Sequence, residues 1–386
     1  MLAPTSFFGH SAMNEFPVPE TLVLAVASHV VSGFSPFRHV GNKIAVFVLQ
    51  SLGCEVSALN TVQFSTSADP ATRKTQGARL TLGYKGNHTG YGQWKGSRVS
   101  AEEITDLYTG LKQSYLDEFD MMLTGYIPGA AAVNAVGAIA KELQGKTKSA
   151  PGTFFWVLDP VMGDNGRLYV PEDVIPAYRS LVPYADLILP NQFEAELLSE
   201  VKISDMETLK QAIRVMHERF GVPHIIITSV DLESTGSVPT HLCVVGSTMT
   251  SDRKARLFKI EFPAIDCYFS GTGDMFGALT VVRMREAAYN TPGLMGVSSW
   301  VSEDSVDALD LPLARAAEKV LGSMHEVLSK TAEGMKEALA TGSKVQGDSL
   351  DAVQTRLVKS KAAELRLVRN LSCLRKPSQA FKANRI

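Results

Sequence analysis

Phe269-Ser270-Gly271-Thr272-Gly273-Asp274-Met275-Phe276-Gly277-Ala278 sets a glycine-rich turn directly before an apolar, helix-like run and puts one carboxylate at the junction. Glycines let backbone N–H groups converge where side chains would block them. The first turn of a helix adds its own unpaired N–H groups and the positive end of its dipole. An anion is expected at such a turn. Asp274 would repel that anion, so it needs a task, such as taking a proton from an attacking hydroxyl. Thr and Asp also cap helices routinely, and the tetrapeptide alone reads equally as a cap.

Upstream of this turn, short apolar runs at Thr21–Ala27, Val56–Phe64, Met121–Tyr126, Phe154–Leu158, Ala185–Leu189 and His224–Thr228 read as strands. Helical stretches are expected at Lys43–Ser51, Ala101–Ser114, Ala130–Gln144 and Gln192–Ser199, and after the turn at Asp274–Ala287 and Leu311–Ala338. Strands that alternate with helices and lack polar alternation predict an α/β fold. Its central sheet is mostly parallel, with helices on both faces and ligands at the carboxyl ends of the strands. Polar residues gather at those ends: Ser28-His29, Thr124-Gly125-Tyr126, Asp159-Pro160, Pro190-Asn191 and Thr228-Ser229. Each pair alone is ordinary turn chemistry. Their common phase points to a site. His241–Gly246 and Arg256–Phe262 alternate more and read as antiparallel or edge strands leading into the glycine turn. Ala340–Val353 reads as a connection, and Lys376–Ile386 as a basic, solvated tail.

The chain has 386 residues, 45% hydrophobic and 20% charged, with a formal charge of −2, which excludes the basic excess of a general nucleic-acid or anionic-membrane binder. Small molecules or other proteins are the expected partners. The four cysteines are scattered and form no C-x-x-C pair, so neither a zinc site nor a disulfide framework is indicated and a reducing compartment fits. The first 20 residues lack Lys, Arg and a continuous apolar core, and no run of 18 apolar residues exists. A cytoplasmic location is expected; the sequence does not test nuclear entry.

Phosphoryl transfer from a nucleotide needs a phosphate cradle, a divalent cation with oxygen ligands and a base on the acceptor side. The sequence has no G-x-x-x-x-G-K-[ST] and no H-R-D or D-F-G set, so a different kinase architecture is required. Asp159 and Asp164, in Asp159-Pro160-Val161-Met162-Gly163-Asp164, could face one cleft and hold Mg²⁺, or form an Asp-Pro turn with a polar loop. Asn191 and Glu194 could meet the same ligand, or form an ordinary capping box. His29 and His88 taken singly read as packed or surface residues, and Tyr126 suits either a stacking role or an interior one.

Together these residues resemble the pyridoxal kinases of the ribokinase-like superfamily. The resemblance rests on Ser28-His29-Val30, Val40-Gly41-Asn42, Asn60-Thr61-Val62-Gln63-Phe64-Ser65, Asn87-His88-Thr89-Gly90-Tyr91 and Trp94-Lys95-Gly96. It continues through Leu123-Thr124-Gly125-Tyr126, the Asp159 to Asp164 run, Tyr169-Val170-Pro171-Glu172-Asp173, Pro190 to Leu198, Ile227-Thr228-Ser229 and Gly271-Thr272-Gly273-Asp274. Order and approximate spacing hold from about residue 21 to about residue 335. The resemblance implies ATP-dependent phosphorylation of the 5′-hydroxymethyl group of pyridoxal, with pyridoxine and pyridoxamine as further substrates. It implies that Asp274 is the catalytic base and that the backbone of Gly271, Thr272, Gly273 and Asp274 forms the anion hole. Ser28, Val40, His88, Thr89 and Tyr126 would surround the pyridine ring. Asp159, Asn191, Thr228, Ser229, Gly271 and Thr272 would meet ATP, with Asp159, Asp164 and Glu194 near its metal. It further implies Mg²⁺ or Zn²⁺ with ATP, a monovalent cation such as K⁺, and a homodimer.

On this reading residues 1–20 form an N-terminal extension, 21–340 the ribokinase-like domain, and 341–386 a C-terminal connection, helix and tail. Three departures stand out. Leu189 occupies the place of a threonine that helps with the monovalent cation. Polar segments near 35–39 and 66–86, surface loops or translated intron, interrupt the ring-side motifs. A hydroxymethylpyrimidine or sugar kinase on the same fold fits less well, because the first commonly has Cys at the place of Asp274 and the second lacks the ring-side motifs. A catalytically weak carrier or regulator that binds B6 vitamers is the alternative of another class, favoured by the interruptions and opposed by Asp274.

Overall fold

Short runs of residues apolar on both sides read as strands covered on both faces, and the computed structural model places them so. It describes residues 16–31, 40–66, 94–232, 240–265, 267, 269–345 and 364–386. In chain order the strands are β1 (Leu22–Val31), β2 (Glu55–Thr66), β3 (Trp94–Arg98), β4 (Met121–Thr124), β5 (Phe155–Leu158), β6 (Gly163–Asp164), β7 (Arg167–Leu168), β8 (Leu187–Ile188), β9 (His224–Val230), β10 (His241–Met249), β11 (Ala255–Pro263) and β12 (Asn384–Arg385). The helices are α1 (Asn42–Ser51), α2 (Ala101–Gln113), α3 (Ala130–Lys146), α4 (Val174–Leu181), α5 (Gln192–Ser199), α6 (Met206–Phe220), α7 (Thr272–Tyr289), α8 (Pro312–Val345) and α9 (Leu371–Arg375).

The sheet runs β12-β11-β10-β9-β8-β5-β4-β1-β2-β3. From β9 to β2 every pairing is parallel, and β10, β11, β12 and β3 join antiparallel at the two edges. Side chains alternate between two cores: Val23, Ala25, Phe155 and Val157 pack with α1, α7 and α8, whereas Leu24, Val26, Trp156 and Leu158 pack with α2 to α6. α7 lies between α1 and α8 on the sheet and is buried almost all round, so its sequence shows no polar stripe. β1 pairs with β2 on one side and β4 on the other, so the chain reverses its winding there. Connections leave in opposite directions from β1 and β4 and open a crevice beyond their carboxyl ends.

Most strand and helix positions match the sequence expectations to within a few residues, but β3, β6, β7, β12, α4 and α6 are additions, and α8 runs on to Val345, so the expected connection at Ala340–Val353 begins as helix. The tail expectation is corrected. Lys376–Ile386 packs on the body: Phe381 is buried, Asn384 and Arg385 pair with Lys259 and Phe258, and Lys382 and Arg385 make ion pairs with Glu318 and Asp307. Its buried Phe381, and the preceding anchors Leu365, Leu367 and Leu374, are too irregularly spaced to show a period, so the basic composition dominates the sequence reading. Of the two interrupting segments, 35–39 and all but the first residue of 66–86 lie outside the described residues, and Thr66 ends β2.

Candidate active site

No side chain closes the glycine turn as a cap, which leaves its N–H groups open to an anion. Gly271 adopts φ 81°, and no side chain caps the start of α7. The carbonyl of Gly271 accepts from Met275 N at 3.1 Å, which closes the helix, while the N–H groups of its first turn point out of it without helical partners. Asp274 could have capped them. Instead its Oδ2 accepts the backbone N–H of Gly41 at 2.8 Å, a contact across 233 residues of sequence.

Gly41 can make that contact only as glycine. Its φ is 62°, and a Cβ there would sit 2.0 Å from the carbonyl oxygen of Ser28 and 2.3 Å from its Oγ. Gly125, at the end of β4, also lies against Asp274: a Cβ there would be in ordinary contact with Asp274 Oδ1, at 3.8 Å, and tight against Cβ of Ala27, at 3.2 Å. The carboxylate therefore lies at the β1/β4 crevice with Oδ2 tied down, and Oδ1 has no hydrogen-bond partner among the described residues. Burial raises its pKa to about 6, against the lowering effect of the Gly41 N–H. A base poised there is ionised at neutral pH and still basic enough to take a proton.

Ring-side residues gather at the same crevice. Ser28 is buried beneath Gly41, Val40 is 7% exposed, and Tyr126 is equally buried with its carbonyl accepting the Thr61 hydroxyl at 2.7 Å. Asn42 braces the turn after Gly41, its amide donating to Leu59 O at 3.0 Å and Asn60 Oδ1 at 2.9 Å. His29 bonds Gln63 at 2.6 Å. His88 and Thr89 lie outside the described residues.

On the opposite side, Asp159 follows β5, with its Oδ2 3.8 Å from where a Cβ on Gly273 would be, so it faces the first turn of α7. Burial, then the charges of Glu194 and Asp274, hold its pKa well above the usual carboxylate range. Glu194 is buried and accepts three backbone N–H groups: Met162 at 2.8 Å, Gly163 at 3.3 Å and Asn191 at 3.0 Å. The capping box is real, since Asn191 Oδ1 also accepts the Glu194 N–H at 2.9 Å. Burial nevertheless raises the Glu194 pKa to about 8. Asn191 also donates to Gly163 O at 2.7 Å and bridges to Thr228, which gathers the ends of β8 and β9 beside the 162–163 backbone. Ser229 adopts φ 53°, a left-handed conformation unusual for serine.

Asp164 acts on this group through its charge, which adds to burial in raising the Glu194 pKa. It sits on the β6–β7 hairpin, whose Asn165-Gly166 turn has φ of 50° and 73°, and both its oxygens are engaged by Asn165, at 2.8 and 3.0 Å. Gly41 lies within a sequence motif, but its spacing does not tie it to Asp274; that contact exists only in the folded chain.

Oxygen donors suit a hard divalent cation. Among the described residues no Lys or Arg pairs with Asp159, Glu194 or Asp274, so this carboxylate group lacks a protein counter-charge. Among those residues no group of three or more His, Cys, Asp or Glu is arranged to hold a metal by itself. The arrangement fits a cation that arrives on a nucleotide and meets one carboxylate, Asp159, rather than a protein cage. Leu189 is buried in the core near Gly277 and offers its side chain to no cation.

A family model described as phosphomethylpyrimidine kinase matches residues 118–287. The pyridoxal kinase of Bos taurus is 35% identical over 352 residues, spanning 89% of this chain and 94% of its own length. That of Homo sapiens is 33% identical over 333 residues, spanning 84% and 89%. Among solved structures, pyridoxal kinase from Leishmania donovani in complex with ADP and pyridoxamine superposes with a TM-score of 0.69 at 27% identity, covering 95% of this chain and 99% of that one.

Proposed function

The chain belongs to the pyridoxal kinase family, and from that premise we propose how its residues carry out the reaction. The protein is an ATP-dependent kinase that phosphorylates the 5′-hydroxymethyl group of pyridoxal, pyridoxine and pyridoxamine. The observation that carries the assignment of roles is the uncapped start of α7, with Asp274 turned away from it and held by Gly41.

Oδ1 of Asp274 takes the proton of the substrate hydroxyl as its oxygen attacks the terminal phosphorus of ATP. Charge on the transferring group meets the N–H groups of Gly271, Thr272, Gly273 and Asp274, each such donor contributing roughly 10²–10³ in rate. Ser28, Val40 and Tyr126 hold the ring, with His88 and Thr89 assigned there by the motif alone. Asn191, Thr228 and Ser229 line the nucleotide side. Mg²⁺ on the nucleotide supplies charge neutralisation when bound, and the oxygen-only donors favour it over Zn²⁺. Asp159 meets it, Glu194 fixes the 162–163 backbone, and Asp164 acts through water at most. K⁺ activation would have to come from backbone carbonyls, given Leu189. A homodimer in the cytoplasm completes the proposal; among the described residues no helix is long and apolar enough to cross a membrane.

Asp274→Asn tests the assignment. Turnover of pyridoxal with MgATP should fall by about 10²–10⁴, while ADP binding stays within about threefold of wild type because the backbone donors are untouched. Wild-type-like turnover in that variant would remove Asp274 from the chemistry. Vitamer binding by the wild-type protein without any transfer would instead make the chain a carrier.

A further inference from the structure

A separate cavity of about 280 Å³ lies between the last turns of α7, the start of α8 and the C-terminal segment. Four cations line it, Arg283, Arg315, Lys319 and Lys382, against one carboxylate, Glu318. Arg283 is 2% exposed. Its Nη1 donates to Glu286 at 2.9 Å and its Nη2 to Leu374 O at 2.6 Å, but its Nε is buried without a partner. A buried guanidinium donor left unsatisfied is costly and calls for an acceptor.

The outer cations are free to turn inward. Arg315 reaches Asp310 only at 3.3 Å and Lys382 meets Glu318 at 3.0 Å, with cation side chains 60% and 64% exposed. Lys319, 45% exposed, shares Glu286 with Arg283 at 2.8 Å. Exposed pairs of this kind contribute little and open readily. Four positive groups face three negative ones, Glu286, Asp310 and Glu318, so one positive charge is left over. The negative end of α7 points to the same place, so side chains and not backbone must hold any anion there.

We propose that this cleft binds a small phosphate monoester. Guanidinium forks with ammonium groups are the donor set that recognises a phosphate dianion, and Phe381 supplies an apolar wall for the body of the ester. The volume is that of a small site, which suits a ligand of one small ring or chain. The occupant would bridge two elements that matter for the turn. Arg283 lies nine residues along α7 from Asp274, about 13 Å at 1.5 Å per residue. The C-terminal segment that carries Lys382 also pairs its Glu364 with Ser270, the residue before Gly271.

The test is calorimetric titration of phenyl phosphate into the full chain saturated with a non-hydrolysable ATP analogue, so that the hole for the transferring phosphoryl group is already filled. One site per chain is expected. Its affinity should drop at least tenfold in the Arg315→Ala/Lys319→Ala double variant and stay unchanged in Lys376→Ala, an exposed lysine outside the cleft. Unaltered ADP binding in the double variant confirms its fold. Equal binding of inorganic phosphate would support the site and show that the phosphate group alone is read. No second site, or one that the double variant leaves intact, overturns the proposal.

Discussion

Replacing Gly41 by alanine perturbs Asp274 from a place far away in sequence. The new Cβ would lie 2.0 Å from Ser28 O, and the backbone at φ 62° disfavours any L side chain. Restoring ordinary contact means that the 40–41 backbone withdraws by about 1 Å or more. The 2.8 Å bond to Asp274 Oδ2 is then lost. A hydrogen bond to a charged group is worth about 1.5–3 kcal/mol, so the acid limb of the pH profile should move up by roughly 1–2 pH units. From a starting pKa of about 6, the ionised share at pH 7 falls from about nine-tenths to about a quarter, roughly a fourfold loss. A carboxylate misplaced by about 1 Å can add up to ~10²-fold. The assay is kcat and kcat/KM for pyridoxal between pH 5 and 9 at saturating MgATP, with ADP affinity measured alongside. The expected result is a kcat lowered by about 10- to 400-fold, an acid limb above that of wild type, and unchanged ADP affinity. An unmoved acid limb with kcat within about twofold would refute the role given to the Gly41 N–H.

Two further outcomes test the fold. Burial lowers the His217 pKa to about 4, and its ring bonds Val222 O and Ser247 Oγ, each at 2.8 Å. Its stabilising contribution is complete above the unfolded pKa of about 6.5 and is lost as pH falls towards the folded value. The stability gap between wild type and His217→Gln in urea melts should therefore narrow by up to about 3 kcal/mol from pH 7.5 to pH 4; a constant gap would show that His217 is not held neutral. Phe381→Ala should cost about 3 kcal/mol in the same melts, whereas a solvated tail would give less than about 0.5 kcal/mol.

Much of this site was legible because its signals are local. Gln192–Ser199 was placed to the residue, since Asn191 and Glu194 form a capping box within one turn. Strand ends beyond β1, β4, β5, β8 and β9 could be phased because each apolar run stops at a polar turn residue. The C-terminal segment was misread because its anchors obey no period, and α6 was missed although Asp205 and Thr208 form its capping box. Asp164, which shares a short motif with Asp159, sits on a two-residue-strand hairpin that the sequence period does not show.

By itself the sequence determined the parallel α/β layout and the family, and singled out Asp274 as the candidate base, because period, turn chemistry and motif order are properties of neighbouring residues. Only the tertiary structure decided whether Asp274 caps α7 or turns away from it. That choice depends on where the second oxygen of Asp274 finds a donor, and the donor comes from Gly41, brought beside it by the reversal of winding between β1 and β4. Nothing in a one-dimensional pattern encodes a hydrogen bond across 233 residues; the closure of the sheet does.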